Sequence, residues 1–215
     1  MAINIQTAGL RSMMGSLLMS DAAQKIDFYL DRIHVDGSGL SFIALALLSQ
    51  PLGVRGLSIR VGHVKPNAGA TYQPADNTFD FPSVSYGTRP YEKTAIIHEC
   101  VHALRDAHGS TLLTTVGPIT TRSVSEEAAA YLAGALFHVY DTTTPGTAPT
   151  APPWTVGDAV FSTAHNLAVK MSTQCGFAVT PQDSMALKQA IMNDPLYKFL
   201  KNNPQQTYSN NGVSL

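Results

Sequence analysis

The stretch His98-Glu99-Cys100-Val101-His102 holds two histidines and a glutamate at fixed spacing. In a helix, residues four apart lie on one face, with about 5–6 Å between their Cβ atoms. Both imidazoles can then reach one tetrahedral Zn²⁺ at about 2.0–2.1 Å from each nitrogen. Glu99 lies beside the first histidine, where its carboxylate can take a proton from a metal-activated water. The stretch therefore predicts a helical zinc site that contains a general base.

The residues around this stretch are apolar. Helical spacing places Ile97, Val101 and Leu104 on one stripe, with His98 and His102 on the neighbouring stripe. A buried helix that carries histidines and a glutamate must satisfy their polar groups. We expect a metal ion to do so.

The first candidate for a third metal ligand is His108. It stands six residues after His102, the spacing of the H-E-x-x-H-x-x-G-x-x-H pattern. That pattern needs a glycine where this chain has Arg105, because the turn is left-handed and costs a non-glycine residue about 1–2 kcal/mol. Gly109 is the expected end of the helix, and a helix of that length directs His108 away from the other histidines. His108 is therefore the less favoured ligand.

The second candidate is acidic and belongs to a helix predicted over residues 123–140. The apolar face of this helix, extended towards its start, contains Glu126, and a carboxylate there is costly to bury without a cation. Glu127 lies about 100° further round and is expected at the solvent or at the edge of the site. The predicted metal ligands are therefore His98, His102 and Glu126, with Glu127 as the alternative to Glu126.

The two helices together resemble those of a known family. An H-E-x-x-H helix followed by Glu126-x-x-Ala129-x-x-Leu132-Ala133 is similar to gluzincin-type zincins, among them the ImmA-like metallopeptidases. The resemblance covers about residues 70–140. It departs at Ala130, where those families often place Asp or Asn to support a ligand histidine, and Asp106 is a possible substitute. It implies a zinc metalloendopeptidase, a hydrolase with Glu99 as its catalytic residue and a peptide or protein as its substrate.

The segments before the zinc helix predict a small sheet. Residues 57–64 alternate between apolar and polar, and residues 69–82 have the turn composition of a β-hairpin. Residues 17–33 and 40–48 have helical spacing. The predicted fold class is α+β and zincin-like, mostly helical, with a small antiparallel or mixed sheet preceding the active-site helix. An edge strand of that sheet is expected to pair with an extended substrate.

Composition also suggests how the chain is organised. We expect a metallopeptidase core over residues 1–140 and a Pro/Thr-rich loop or linker over 141–157. A helical segment over 158–201 is expected to pack on the core, with Trp154 as an anchor. The polar residues 202–215 predict a flexible tail.

Charge and hydropathy exclude several classes of partner. The net charge of −1 provides no electrostatic footprint for nucleic acid. The apolar run over residues 40–48 is far shorter than the ~20 residues that span a bilayer, so no membrane span is expected. The start of the chain shows no signal-peptide pattern, which makes a cytoplasmic location the default and leaves signal-less secretion open. The sequence indicates no oligomeric state.

Two further questions stay open at this point. The chain could be a non-catalytic binding protein of zincin fold with a structural or vestigial metal, or a peptidase-type secreted effector or toxin. A fourth protein ligand or a blocked cleft would favour the binding protein, whereas Glu99 beside the metal favours an enzyme. Zincins also commonly use a tyrosine or histidine to stabilise the oxyanion, and Tyr86, Tyr91 and Tyr131 are the candidates.

Overall fold

The computed structural model describes residues 5–49, 56–64, 69–113, 121–144, 146–173 and 178–208, without the side chains at 5, 6, 108–113, 121, 122 and 208. Helices make up 62% of the structure and its sheets are small, which confirms the α+β class. No described helix is both long enough and apolar enough to cross a bilayer. The helices are α1 (Ile5–Leu18), α2 (Asp21–Gln24), α3 (Gly37–Ser49), α4 (Pro90–Leu113), α5 (Ser123–Thr142), α6 (Ala159–Thr173), α7 (Pro181–Asn193) and α8 (Lys198–Asn202). The strands are β1 (Asp27–Leu30), β2 (Ile33–Asp36), β3 (Ser58–Val61), β4 (Thr71–Gln73), β5 (Thr78–Phe81), β6 (Thr121–Arg122) and β7 (Thr207–Tyr208).

A three-stranded mixed sheet precedes α4, and its strand order is β3-β5-β4. Strand β3 pairs parallel with β5, and β4 pairs antiparallel with β5 through the register Tyr72↔Phe79. The predicted strand within residues 57–64 and the predicted hairpin within residues 69–82 are both confirmed. Strand β4 lies at the edge of this sheet and borders the cleft described below.

The prediction of a helix over residues 17–33 is wrong after Gln24, the last residue of α2. The chain instead forms the antiparallel pair β1–β2, which begins at Asp27. Burial along β1 alternates, with Phe28 and Leu30 buried between exposed neighbours, so the period is two residues and not three to four. Asp31 adopts a positive φ of 54° at the turn, a conformation that aspartate tolerates better than most residues.

Helices α4 and α5 form the centre of the molecule. A Cβ atom on Gly134 would lie 2.9 Å from the carbonyl oxygen of Thr94, so glycine permits the close approach of the two helices. Helix α4 continues to Leu113 and does not end at Gly109 as predicted. A glycine inside a helix costs about 1 kcal/mol, which the tertiary structure can offset. Helix α5 is buried on nearly all sides because it also packs against α6 and α7.

The C-terminal part of the chain packs closely on this centre. Thr180 caps α7 by accepting from the Asp183 amide, as the sequence predicts. Trp154 contacts Tyr91 and His138 edge-on, with ring centroids 6.3 and 5.0 Å away, so the predicted anchor is confirmed. Strand β7 pairs with β6 inside the segment predicted to be a flexible tail, and residues 209–215 lie outside the described residues.

Asp31 connects the β1–β2 turn to two helices. Its carboxylate accepts from the Ser125 hydroxyl at 2.9 Å, the Ser184 hydroxyl at 3.0 Å and the Lys188 ammonium at 2.8 Å. Burial by itself would raise the pKa of Asp31, but these three hydrogen bonds outweigh burial and hold the pKa below its usual value. Ser125 lies in the first turn of α5, so Asp31 helps to position the start of that helix.

Replacing Asp31 with asparagine should lower the free energy of unfolding at pH 7 by about 1 kcal/mol, allowing for solvent screening of a part-exposed carboxylate. Because the pKa is lower in the folded state, the stabilisation is present above the unfolded pKa of about 3.9 and is lost as the pH falls through the folded pKa. Urea unfolding of both proteins at pH 7 and pH 2.5 measures this. The difference in unfolding free energy between the two proteins should be smaller at pH 2.5 than at pH 7, and an equal difference at both pH values would contradict the prediction.

Candidate metal centre

The predicted zinc helix, α4, turns one face to the core and another to a cleft. Ile97, Val101 and Leu104 are buried, as the apolar stripe predicts. His98 and His102 are only partly buried and line the cleft. Their arrangement follows from local helix geometry, because residues four apart share a face.

Three side chains meet at one point of this cleft, and we call His98, His102 and Glu127 the metal group. The Nε2 atoms of the two histidines lie 3.2 Å apart. Glu127 Oε2 lies 3.4 Å from His98 Nε2, and Glu127 Oε1 lies 3.7 Å from His102 Nε2. Tetrahedral bonds of about 2.0–2.1 Å place neighbouring ligand atoms about 3.4 Å apart. Among the residues that the structure describes, this is the one group of three or more ligand side chains whose donor atoms converge.

Glu126 occupies a different position from the one predicted. Its Oε1 lies 3.0 Å from His102 Nδ1, while His102 Nε2 faces His98 and Glu127. A carboxylate on the second ring nitrogen fixes the tautomer and the orientation of a metal-ligating histidine. The geometry therefore favours Glu127 over Glu126 as the third ligand, and it gives Glu126 the supporting position that the sequence suggested for Asp106.

The burial of α5 explains why the sequence favoured Glu126. The prediction extended an apolar face towards the start of the helix, but residues 123–139 are buried with the exception of Tyr131. A helix that is buried all round has no single apolar face, so its sequence pattern does not indicate which side points into the cleft. The side that lines the cleft carries Glu127, Ala130, Tyr131 and Gly134, and Glu126 borders the cleft as well, so the distances to the histidines distinguish the two glutamates.

The site concentrates negative charge around two histidines. Burial alone would lower the pKa of His102, but the carboxylates of Glu127 and Glu126 outweigh it and raise the pKa to about 10. Burial lowers the pKa of the Arg105 guanidinium, and the charge of Glu126 acts in the opposite direction. Glu126 therefore has a buried cation, Arg105, near it. At the metal group, the raised pKa of His102 means that the surrounding carboxylates favour a positive charge there. A divalent cation in the metal group would supply that charge.

Glu99 lies beside the metal group but outside it. Its Oε2 accepts from the Tyr72 amide at 2.7 Å, and its Oε1 lies 4.0 Å from His98 Nε2. Burial raises the pKa of Glu99 and Glu127 adds to that, while the histidines and the Tyr72 amide act against it. A carboxyl group with a raised pKa is better matched to proton transfer near neutral pH.

Edge strand β4 is tied to α4 through one residue, Tyr72. Its amide holds Glu99, and its hydroxyl donates to Asp106 Oδ2 at 2.8 Å. The two bonds fix the edge of the sheet along the helix that carries the histidines. Strand β4 therefore borders the cleft in a defined position, as a strand that pairs with a substrate must do.

Two tyrosines complete the metal end of the cleft. The Tyr131 ring contacts His98 edge-on, with centroids 4.6 Å apart. The Tyr197 hydroxyl donates to Glu127 Oε2 at 3.0 Å and lies 3.1 Å from the Tyr131 hydroxyl. Tyr197 was not predicted. The Asp194-Pro195 pair before it indicates a turn, but no local pattern places that turn beside a helix 70 positions away.

Of the other predicted candidates, only the tyrosines are among the described residues that line the cleft. Tyr86 is buried and Tyr91 is 40% exposed, and both line the cleft together with Tyr131. Asp106 is fully buried and accepts from Tyr72. His108 lies within α4, and its side chain is outside the described residues. Cys100, on the same helix, is a free, buried cysteine.

The cleft has a volume of about 680 Å³ and runs between β4, helices α4 and α5, and the C-terminal part of the chain. Phe161, Leu196 and Tyr197 form part of its wall, so the segment beyond the predicted core contributes to the site. A cavity of this size suits a ligand of several residues or a drug-sized molecule.

Models of protein families, curated proteins and solved structures provide no match to this chain. Its function must therefore be inferred from the geometry and chemistry of the site.

Proposed function

We propose that this protein is a zinc-dependent metallopeptidase of the gluzincin-like zincin type, which hydrolyses peptide bonds with Glu99 as general base. The observation that supports this best is the metal group: the donor atoms of His98, His102 and Glu127 have the separations of a tetrahedral ligand set. Glu99 stands beside that group without belonging to it.

The chemistry of the donors fits zinc. Two imidazoles and one carboxylate are a common protein ligand set of catalytic zinc sites, which leave a fourth position open. Glu126 on His102 Nδ1 provides the outer support that such histidines usually have. When bound, zinc supplies Lewis acidity, which lowers the pKa of water to about 7 and polarises a carbonyl oxygen.

The chain supplies the remaining functions through its own side chains. Glu99 would accept a proton from the attacking water and deliver it to the amine of the departing peptide. The Tyr72 amide keeps Glu99 Oε2 fixed, so that Oε1 is the oxygen nearer to the histidines. Strand β4 would hold the substrate backbone in an extended form by strand pairing through backbone groups other than the Tyr72 amide, which Glu99 occupies. Tyr131, next to His98, is the nearest of the predicted oxyanion candidates to the metal group.

The competing function is a non-catalytic binding protein with a structural metal. Structural zinc sites are closed by four protein ligands. The described residues supply three converging ligands, and the cleft of about 680 Å³ lies open beside them. Both observations support the peptidase over the binding protein.

Removal of the metal should abolish hydrolysis, and zinc should restore it. We expect chelation to reduce cleavage of an unfolded protein such as casein by at least about 100-fold, because both the Lewis acid and the positioned water are lost. One equivalent of zinc should recover the activity. Magnesium should not, because it prefers oxygen ligands in octahedral geometry.

The metal-removal experiment also separates the two functions. Hydrolysis that persists in the metal-free protein would contradict the proposal. Stoichiometric zinc binding without cleavage of any unfolded protein would instead support the binding protein.

A further inference from the structure

The cleft extends beyond the metal group into a second region, which we call the aromatic subsite. Its walls are the rings of Tyr91, Tyr131, Trp154 and Phe161, and its floor includes Ala95 and Gly134. Tyr131 links the two regions, because its ring contacts both His98 and Phe161, with centroids 4.6 and 5.2 Å away. The aromatic subsite is therefore continuous with the metal group.

Small residues leave the subsite empty. Ala95 of α4 is only partly buried and lines the cleft with no more than a methyl group, and Gly134 lines it where α5 approaches Thr94 closely. Bulky rings surround a floor of small residues, so a side chain from another molecule can enter between them. Aromatic walls favour binding of such a side chain through burial of apolar surface and through offset or edge-on ring contacts.

Charge is distributed unevenly along the cleft. Among the described residues that line it, the acidic ones are Glu99, Glu126 and Glu127, all at the metal end, and none is Lys or Arg. None of the described residues that line the aromatic subsite is charged; Arg89 and Glu92 contact the Tyr91 hydroxyl but do not line the cleft. Desolvation of an unpaired charge is unfavourable, so the aromatic subsite prefers an uncharged side chain.

The rim of the cleft carries further apolar surface. Leu196 is 75% exposed and Tyr91 is 40% exposed, and both line the cleft. Apolar side chains gathered at a cleft are typical of a surface that a ligand covers.

We propose that the aromatic subsite binds a large apolar side chain of the substrate, such as Phe, Leu or Met, close to the scissile bond. This inference rests on the proposed peptidase function for its substrate class. It makes the protein selective for peptide segments with such a residue and poorly active on segments with Asp or Glu at that position.

Trp154 makes the test independent of hydrolysis. It is the one tryptophan of the chain and forms a wall of the subsite, so its fluorescence reports whether the subsite is filled. The zinc-loaded full chain with Glu99→Gln is titrated with blocked alanine-based hexapeptides that differ only in one central residue: Phe, Leu, Lys, Asp or Ala. Burial of one large apolar side chain corresponds to at least about a ten-fold gain in affinity over Ala.

We expect Phe and Leu peptides to bind at least about ten-fold more tightly than the Ala peptide, and the Asp peptide to bind more weakly than Ala. Adding Ala95→Leu should fill the floor and bring the Phe:Ala ratio close to one. Asn166→Leu adds the same side chain at an exposed position of α6 and should leave the ratio unchanged. No fluorescence change, no preference, or tightest binding of the Lys peptide would each overturn the proposal.

Cleavage-site mapping on an unfolded protein gives a second readout that needs no variant. Cleavage concentrated beside large apolar residues supports the subsite. Cleavage mainly beside charged or small residues overturns the subsite and leaves the peptidase function intact. Selective binding of the Phe peptide without any cleavage by the wild-type protein has the opposite meaning, since it supports the subsite and contradicts the peptidase function.

Discussion

Changing Glu127 to glutamine should lower zinc affinity by more than about 100-fold, whereas the same change at Glu126 should lower it by about 10–100-fold. Glu127 faces the Nε2 atoms of both histidines, at 3.4 and 3.7 Å, and the amide would bring no negative charge to the ion. Glu126 faces the Nδ1 atom of His102 and orients that ring, whose Nε2 atom lies beside His98. The order of the two effects therefore reports which carboxylate binds the ion.

Competition with a chromophoric zinc chelator measures both affinities, with circular dichroism as a check on folding. Asp141→Asn is a matched control, because Asp141 lies in the last turn of the same helix, at the end opposite to Glu127, and pairs with Lys93. It should leave zinc affinity unchanged. A larger loss for Glu126→Gln than for Glu127→Gln would reverse the assignment and restore the ligand set predicted from the sequence.

The second large effect is expected at Glu99. Glutamine at this position should lower kcat by about 10²–10⁴-fold, the usual contribution of a positioned general base. Zinc content should stay at one equivalent, because Glu99 lies outside the metal group. The amide oxygen of glutamine can still accept from the Tyr72 amide, so the position of the side chain is preserved while its basicity is lost.

Peptide hydrolysis and zinc content are measured together on the same preparation of Glu99→Gln. The control is Asp76→Asn, which changes an exposed carboxylate in the β4–β5 turn that does not line the cleft. We expect the control to retain full activity. Wild-type activity in Glu99→Gln would exclude it as the base, and loss of zinc together with activity would give it a role in metal binding instead.

The regular local patterns of the chain were predictable. Residues 57–64 and 69–82 form strands as expected, and Thr180 with Pro181 marks the start of α7. In these segments alternation, turn composition and capping all favour the same structure. Residues 27–33 were misassigned to a helix, because their apolar residues fit a helical spacing as well as an alternating one, and the pairing of β1 with β2 decided between the two.

Residues that meet across long separations were not predictable in the same way. Trp154, Phe161 and Tyr197 line the cleft although they lie in segments assigned to a linker and to a helical extension. Their places depend on how α6 and the C-terminal turns pack on α5, which no local pattern describes. Asp31 and Ser125 are a similar case, since 94 positions separate two residues that share a hydrogen bond.

The same distinction between local patterns and distant contacts applies to the candidate metal centre. The sequence alone determined the placement of His98, Glu99 and His102, because one helical turn fixes residues i and i+4 on a common face. Only the tertiary structure shows which of Glu126 and Glu127, about 100° apart around α5, lies near the Nε2 atoms of both histidines. The rotation of α5 about its axis is set by distant contacts, among them Gly134 against Thr94. This rotation places Glu127 beside the Nε2 atoms of the histidines and Glu126 beside the Nδ1 atom of His102.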